Sequence, residues 1–139
     1  MSSMKAILTL LIIFVTLALH VPSARSQTQP SFAYYGLEPD IVTNFLGSSS
    51  KSLGFVRVTI ELMIENADYL EAIDHHSPLL RATIIEILGR QPKDKVKSLT
   101  GREDFRRTSL ERVRELMQRE TGNPMIKDII ITKFLVQGG

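Results

Sequence analysis

Residues 56–65 have an apolar side chain at every second position, and the residues between them are polar except Met63. The apolar positions are Val56, Val58, Ile60, Leu62 and Ile64. Because successive side chains of a β-strand point to opposite faces, this pattern predicts a strand with one face in a core and the other face polar. The preceding segment Tyr34–Leu46 is also apolar apart from Glu38-Pro39-Asp40, and turn residues follow at Gly47–Lys51. The two segments therefore predict an antiparallel hairpin, in which the proline favours an edge strand or a kinked entry.

Two helices are predicted after this hairpin. Asn66 or Asp68 can cap a short helix that runs to about His75. A second helix is expected to start at Ser77-Pro78, with serine as N-cap and proline in the first helical position, where no intrahelical bond requires its missing N–H. Gly89 is expected to end this helix.

A third helix and a last strand complete the predicted fold. After a basic loop at residues 90–98, Thr100–Glu103 has the form of a capping box, in which each side chain satisfies an unpaired amide of the first turn. Thr121–Pro124 is expected to end the helix. The final segment Ile126–Val136 is apolar on both pleat faces around Ile129–Ile131, which predicts a central strand with neighbours on both sides. The order β-β-α-α-α-β predicts a small α+β domain.

The start of the chain carries a separate, strongly apolar segment. Lys5 precedes the apolar run Ala6–Leu19, which has 14 residues, whereas about 20 are needed to cross a bilayer core of roughly 30 Å. This length is typical of a signal peptide, and Ala24-Arg25-Ser26 supplies small residues for cleavage before Gln27. Retention of the run as a short membrane anchor is the alternative.

These features predict three regions. Residues 1–26 are a signal peptide or short membrane anchor that forms an apolar leader helix, residues 27–33 are a linker, and residues 34–139 are an exported domain. The chain has no cysteine, so burial of apolar surface rather than disulfide bonds must hold this domain together. Thiol nucleophiles, redox motifs and zinc-finger frameworks are excluded for the same reason.

The charge of the chain is unevenly distributed. The formal net charge is +2, but the leader contributes two cations and no acids, so the remainder has 15 basic and 15 acidic residues. No basic excess is then left for nucleic acid. Residues 38–89 carry a formal charge of −5 and residues 90–139 carry +5. Opposite poles predict head-to-tail contacts between copies, unless the two runs interleave in space and cancel.

No catalytic or metal-binding motif is found in the sequence. His75 and His76 are adjacent, so on a helix they point about 100° apart and cannot share one metal ion. We expect two surface histidines at a helix end. Glu38 and Asp40 lie at a proline turn and are expected to be solvated. The sequence predicts no enzyme, no cofactor and no metal, and a small exported hydrolase with an unfamiliar site is the alternative.

A basic surface is the candidate binding patch. It combines Lys93–Lys97 with Arg102, Arg106 and Arg107. Such a patch can contact anionic lipid or peptidoglycan. It has no interleaved aromatic residues, so binding of nucleic acid is not expected.

The two charged halves also place the expected assembly surface. Basic residues of one copy are expected to meet acidic residues of the next. The residues concerned are Lys97, Arg102, Arg106 and Arg107 on the basic side and Glu65, Glu71 and Asp74 on the acidic side.

Several short motifs occur in a characteristic order along the chain. They are Tyr35–Ile41, Asn44–Leu46, Leu53 with Val56–Leu62, Pro78–Leu88, Leu99–Glu103 and Ile129–Gln137. Within the last motif, Thr132, Phe134 and Gln137 have the most specific spacing. Together the motifs resemble the flagellar basal-body-associated FliL family over about residues 34–137. The chain departs from the family in its short leader and in Gly89–Pro92, which replaces a serine-rich step.

The resemblance implies a non-catalytic protein whose fold is similar to the stomatin-type domain. It implies an inner-membrane location with the domain in the periplasm, or a periplasmic location if the leader is cleaved. The implied partners are the flagellar stator proteins, around which family members assemble as rings to support rotation, swimming, swarming and chemotaxis. The alternative from the residues themselves is an exported module that binds cell wall or anionic lipid through the basic loop.

Overall fold

The structure, a computed structural model, describes residues 31–45 and 53–138. The predictions for the leader, for most of the linker and for the turn Gly47–Lys51 lie outside these residues. The elements in chain order are β1 (Ala33–Gly36), β2 (Ile41–Phe45), β3 (Gly54–Ile64), a short 3₁₀-helix (Ala67–Tyr69), α1 (Leu70–Gly89), α2 (Lys93–Lys97), α3 (Leu99–Thr121) and β4 (Ile126–Gly138). The predicted α+β class is confirmed.

One antiparallel sheet is organised around β3. The strands β1 and β2 pair with β3 one after the other along the same side, with Tyr35 opposite Leu62 and Ile41 opposite Val58. The strand β4 pairs with the whole length of β3 on its other side. Among the described strands β3 is therefore the central one and β4 has a neighbour on one side, so the prediction that the last segment lies between two neighbours is wrong.

A β-bulge explains the apolar pattern that suggested a central position for β4. The register of β4 against β3 shifts between Thr59 and Ile60, so Thr132 is an extra residue in β4. Such a bulge changes the phase of side-chain alternation. As a result Ile131, opposite Ile60, and Phe134, opposite Val58, face the same side of the sheet. A run that is apolar in both phases can thus serve one buried face.

The helix α1 is continuous from Leu70 to Gly89, with Pro78 in its interior. The prediction of two helices separated at Ser77-Pro78 is wrong. Proline removes the bond to the carbonyl four residues before it, which here belongs to Asp74. Both Pro78 and Asp74 are exposed, so water can satisfy that carbonyl. The predicted cap at Asn66 is confirmed for the 3₁₀-helix, since its side chain accepts the N–H of Asp68 at 3.0 Å.

The start of α3 also differs from the prediction. The N-cap is Ser98, whose Oγ accepts the N–H of Gly101 at 2.9 Å, and the predicted capping box at Thr100 is wrong. The basic segment before it contains the one-turn helix α2 rather than a loop throughout. The predicted end of α3 is confirmed, because Gly122 adopts the left-handed conformation with φ +79°.

The helices cover one face of the sheet and form a single apolar core with it. The alternate β3 residues from Val56 to Ile64 are at most 1% exposed and pack with Ile73, Leu80, Phe105 and Val113 of the helices. The other face of the sheet has no helix over it among the described residues. In residues 31–45 and 53–138 no helix is long and apolar enough to cross a membrane.

Candidate functional site

The turn between β1 and β2 is fixed to α1 by one arginine. The guanidinium of Arg81 donates to the carbonyl oxygens of Leu37 at 3.1 Å and Asp40 at 3.0 Å, and also to that of Pro39. Leu37 is buried and donates its N–H to the carbonyl of Ile60 at 2.9 Å. These bonds satisfy backbone groups that the irregular turn leaves without strand partners.

Side-chain bonds close the same region. The hydroxyl of Tyr35 donates to Asp74 Oδ1 at 2.7 Å, which joins β1 to α1. The hydroxyl of Thr59 donates to Asp40 Oδ1 at 2.7 Å, and Lys133 Nζ lies 3.7 Å from Asp40 Oδ2. The Thr59 bond, followed by the charges of Lys133 and Arg57, holds the pKa of the Asp40 carboxyl below its ordinary value. The carboxylate of Asp40 thus contacts both β3 and β4.

Two of the three predicted basic residues of α3, Arg106 and Arg107, bind carboxylates of the same domain. Arg106 binds Glu103 at 2.7 Å and also contacts Asp128 on β4. The bond from Arg106 lowers the pKa of Glu103, and the bond to Glu103 raises that of Arg106. Arg107 binds Asp104 at 3.1 Å. Arg106 therefore joins α3 to the sheet, whereas Arg107, whose side chain is 64% exposed, remains at the surface.

The predicted acidic residues lie in two places. Glu65, just after β3, is 3.3 Å from Arg114 of α3. Asp74 accepts the bond from Tyr35, and Glu71 is exposed in the first turn of α1. Lys97, the predicted cation that lies outside α3, is exposed at the end of α2. The structure does not bring the two predicted sets together within one copy.

The histidines lie in the first half of α1, so their predicted position at a helix end is wrong. The rings of His75 and His76 are 4.9 Å apart at an angle of 77°. His76 Nδ1 is 2.8 Å from the carbonyl oxygen of Ala72, one turn earlier. In the described part of the chain, no group of three or more His, Cys, Asp or Glu residues could hold a metal ion.

A groove of about 420 Å³ lies between the first half of α3 and the β4 strand. Its lining residues are Leu99, Arg102, Glu103, Arg106, Ile129, Ile130, Ile131 and Phe134. The Arg102 guanidinium carbon lies 4.6 Å from the centre of the Phe134 ring, and Leu99 is 81% exposed. The sequence identified Arg102 as a surface cation but missed the groove. The consecutive apolar residues Ile129–Ile131, which occupy both alternating positions of the strand, could have indicated extra apolar surface on β4.

The uncovered face of the sheet carries a second apolar surface. Val42, Phe55 and Leu135 are 52%, 48% and 56% exposed. In the strand register Arg57 lies between Val42 and Leu135, which gives this apolar patch a charged centre. Nothing in the sequence marked these residues as a surface, because alternation alone assigns them only to the outer face.

Comparisons with known proteins agree with the motif order. The family model described as flagellar basal body-associated protein FliL matches residues 34–137, which include every strand and helix except the start of β1 and the last residue of β4. A curated relative, the flagellar protein FliL of Aquifex aeolicus (strain VF5), is 24% identical over 103 residues. That alignment covers 74% of this chain and 60% of the relative, so the chain spans about three fifths of the length of this relative.

Proposed function

This chain belongs to the FliL family of flagellar basal body-associated proteins, and we propose that it acts without catalysis, assembling around the stator units and supporting flagellar rotation. The observation that carries the proposal is the family match over residues 34–137. The described domain supports it through the roles of its motif residues. Tyr35, Leu37 and Arg81 hold β1 and its turn against α1, which is a scaffold rather than a reaction centre.

The proposed location is the periplasmic side of the inner membrane, where the domain would stand next to the stators. The support for this location is the apolar run at the chain start. The sequence leaves open whether this run is cleaved or anchors the protein. Mass spectrometry of the mature chain tests the two forms, since Gln27 as first residue would mean that partners alone hold the domain at the motor.

Self-association into a ring is part of the proposal, and the structure narrows the residues that suit it. Arg106 is only 28% exposed and binds two carboxylates, so it serves the fold. Arg107 is 64% exposed and pairs with Asp104, which lies one turn away on the same helix. Such exposed pairs contribute little and exchange partners readily. Glu71 is exposed on a different helix, so Arg107 and Glu71 are the pair we assign to contacts between copies.

A charge-reversal series tests this assembly. Arg107→Glu or Glu71→Arg alone should lower the mass of the full chain on a calibrated column, because each brings like charges together across the contact. The double variant should restore the mass and also the swimming diameter in soft agar of a strain that carries it. Arg112→Glu is the matched control, since Arg112 is equally exposed on α3 and pairs with Glu115. If both single variants, the double variant and the control all kept the mass of the unaltered chain, this interface would be ruled out.

Deletion of the gene in its host tests the function itself. A motor-supporting protein predicts a reduced swimming diameter at unchanged growth rate, restored by the intact gene. A full-sized swimming halo in the deletion strain would contradict the role in rotation.

Binding of cell wall or anionic lipid is the second candidate function. The observation in its favour is that α2 presents Lys95 and Lys97 to solvent, although Lys95 also binds Asp104 at 3.0 Å. Binding through these cations should be weakened by salt, because exposed charges are screened over about 10 Å at 0.1 M. Co-sedimentation with phosphatidylglycerol vesicles or peptidoglycan at low and high salt measures this, and equal recovery without vesicles or wall material would exclude it.

A further inference from the structure

The outer edge of β4 is the long unpaired edge of the described sheet. β4 has 13 residues and, among the described strands, pairs with β3 alone. A strand edge presents a row of N–H and C=O groups that can pair with another extended chain, and proteins normally block such edges. The opposite edge of the sheet is interrupted between β1 and β2, where Arg81 binds the turn.

Two hydrogen bonds show which β4 residues turn their backbone groups outward. Ile129 donates its N–H to the Asp128 side chain at 2.8 Å, so this N–H points to the outer edge. The carbonyl oxygen of Ile60 accepts the N–H of Leu37. The backbone N–H and C=O of Ile60 therefore point away from β4, where its partner in the register is Ile131. In an antiparallel ladder, such non-hydrogen-bonded pairs alternate with bonded ones. The backbone groups of Ile131 therefore also face the outer edge, and the register continues this set at Phe134 beyond the bulge.

The side chains beside this edge favour an apolar and acidic occupant. Ile131 and Phe134 are half-buried, and Leu99 stands almost fully exposed on the other wall of the groove. Within the described residues Arg102 stacks on Phe134 but has no carboxylate partner, and its Nε is buried without an acceptor. The neighbouring Arg106 is neutralised by its own carboxylates. Among the cations that line the groove, Arg102 is therefore the one without a carboxylate partner in the described part of the chain.

We propose that this groove, from Ile129 to Phe134 on β4 and from Leu99 to Arg106 on α3, binds an extended segment of a partner protein by strand addition. The segment would pair with the backbone of Ile131 and Phe134, place apolar side chains against Leu99 and Phe134, and direct a carboxylate to the terminal nitrogens of Arg102. The inference rests on the proposed function only in that it assigns this surface to a partner at the motor.

The β4 edge of a second copy fits this surface less well. β4 itself carries Lys127, Lys133 and one acid, Asp128, which already binds Arg106. Pairing two such edges would bring further cations to a groove that already holds Arg102. Charge complementarity therefore favours a different, acidic chain over self-pairing.

Selection of peptides on the full chain in detergent tests the proposal without knowledge of the partner. Random 12-residue peptides displayed on phage are selected on the intact protein and, in parallel, on Arg102→Glu. We expect the intact protein to enrich sequences that alternate apolar residues and contain Asp or Glu, and a synthetic consensus peptide to bind Arg102→Glu at least about tenfold more weakly. Arg112→Glu, an exposed arginine elsewhere on α3, should bind the peptide as the intact protein does.

Backbone N-methylation of the peptide distinguishes strand addition from a side-chain pocket. Methylation of one alternate set of amides should abolish binding, and methylation of the other set should be tolerated. No enrichment, equal binding to Arg102→Glu, or tolerance of both methylated sets would each overturn the proposal. Competition of the peptide with self-association would instead identify a second copy as occupant and would also overturn it. A deletion strain that swims normally would defeat the motor function but leave the peptide result intact, so the two failures are distinguishable.

Discussion

The two edges of the sheet are built differently. On the β1–β2 side the backbone is irregular, but Arg81 binds the turn carbonyls and Thr59 binds the Asp40 carboxylate. Tyr35 of β1 also binds Asp74 of α1. On the β4 side the strand is long and pairs with β3 over its whole length apart from two register shifts, yet its outward groups at Ile131 and Phe134 have no strand beside them in the described part of the chain. The motifs shared with the family include both edges, but only the first is closed by its own residues. The difference indicates that the β1–β2 edge serves the fold and that the β4 edge is available to a partner.

Replacing the arginine at each edge is expected to give the largest difference in stability between the two edges. Arg81→Met removes three bonds to the turn carbonyls and should lower the free energy of unfolding by about 3 kcal/mol, since each of these partly exposed bonds contributes about 1 kcal/mol net. Arg102→Met removes a stack on Phe134 of about 0.5–1 kcal/mol together with a buried unpaired Nε, so the two effects nearly cancel. Urea denaturation followed by circular dichroism measures both.

Arg90→Met is the control for loss of an arginine from α1. Arg90 pairs with Glu86, and the two side chains are 78% and 58% exposed, so its removal should change stability by less than about 0.5 kcal/mol. If Arg81→Met and Arg102→Met had equal effects, the two edges would not differ in the way their contacts indicate.

Gly101 lies where α3 approaches α2, beside the groove on the β4 side. Its replacement is expected to have the second largest effect on stability. A Cβ at Gly101 would lie 2.0 Å from the carbonyl oxygen of Lys95, so α2 and α3 would have to separate. Gly101→Ala should therefore destabilise the domain by about 2 kcal/mol, although alanine favours an unobstructed helix by about 1 kcal/mol. Thermal unfolding of the variant measures the loss.

Gly89→Ala supplies the matched control at the other end of the helical layer. The nearest atom to a Cβ there is Thr43 Oγ1 at 3.6 Å, an ordinary contact, so the variant should be more stable by about 0.5 kcal/mol. A stabilised Gly101→Ala protein would mean that the approach of α2 to α3 is looser than the structure has it.

The sequence predicted the parts of this molecule that depend on local pattern. The alternation from Val56 to Ile64 placed β3 correctly, and Gly122 ended α3 as expected. The pattern misplaced β4, because a one-residue bulge at Thr132 changes which residues share a face and is not encoded by composition. It also split α1 at Pro78, since local preference cannot include the packing of Leu80 and Ile84 that holds the helix together.

The candidate sites were predicted less completely for the same reason. The sequence located Arg102, Arg106 and Arg107 as cations, but their partners come from different elements. Asp128 on β4 binds Arg106, and the ring of Phe134 lies under Arg102. Only the folded register shows that one cation is neutralised and another is not. The runs of charge in the sequence therefore predicted a basic surface. The tertiary contacts then separated the cations that are paired within the fold from the one that is not.

The smallest expected effect concerns Asp40, whose carboxylate links the β1–β2 edge to β3 and β4. Thr59→Val removes the bond to Asp40, so the pKa of Asp40, which is lowered in the folded protein chiefly by that bond, should rise toward its ordinary value. A depressed carboxyl pKa stabilises the fold above the unfolded pKa of about 3.9, and that contribution is lost as the pH falls through the folded pKa. The stability of the intact protein should therefore exceed that of Thr59→Val near neutral pH, with the difference shrinking in acid.

Carbon-detected NMR titration of Asp40 measures the pKa directly. Thr83→Val is the control, because the Thr83 hydroxyl donates to the carbonyl of Leu79 in its own helix. An unchanged Asp40 titration in Thr59→Val would show that the cations Lys133 and Arg57, rather than the hydroxyl, hold this carboxylate between the two sides of the sheet.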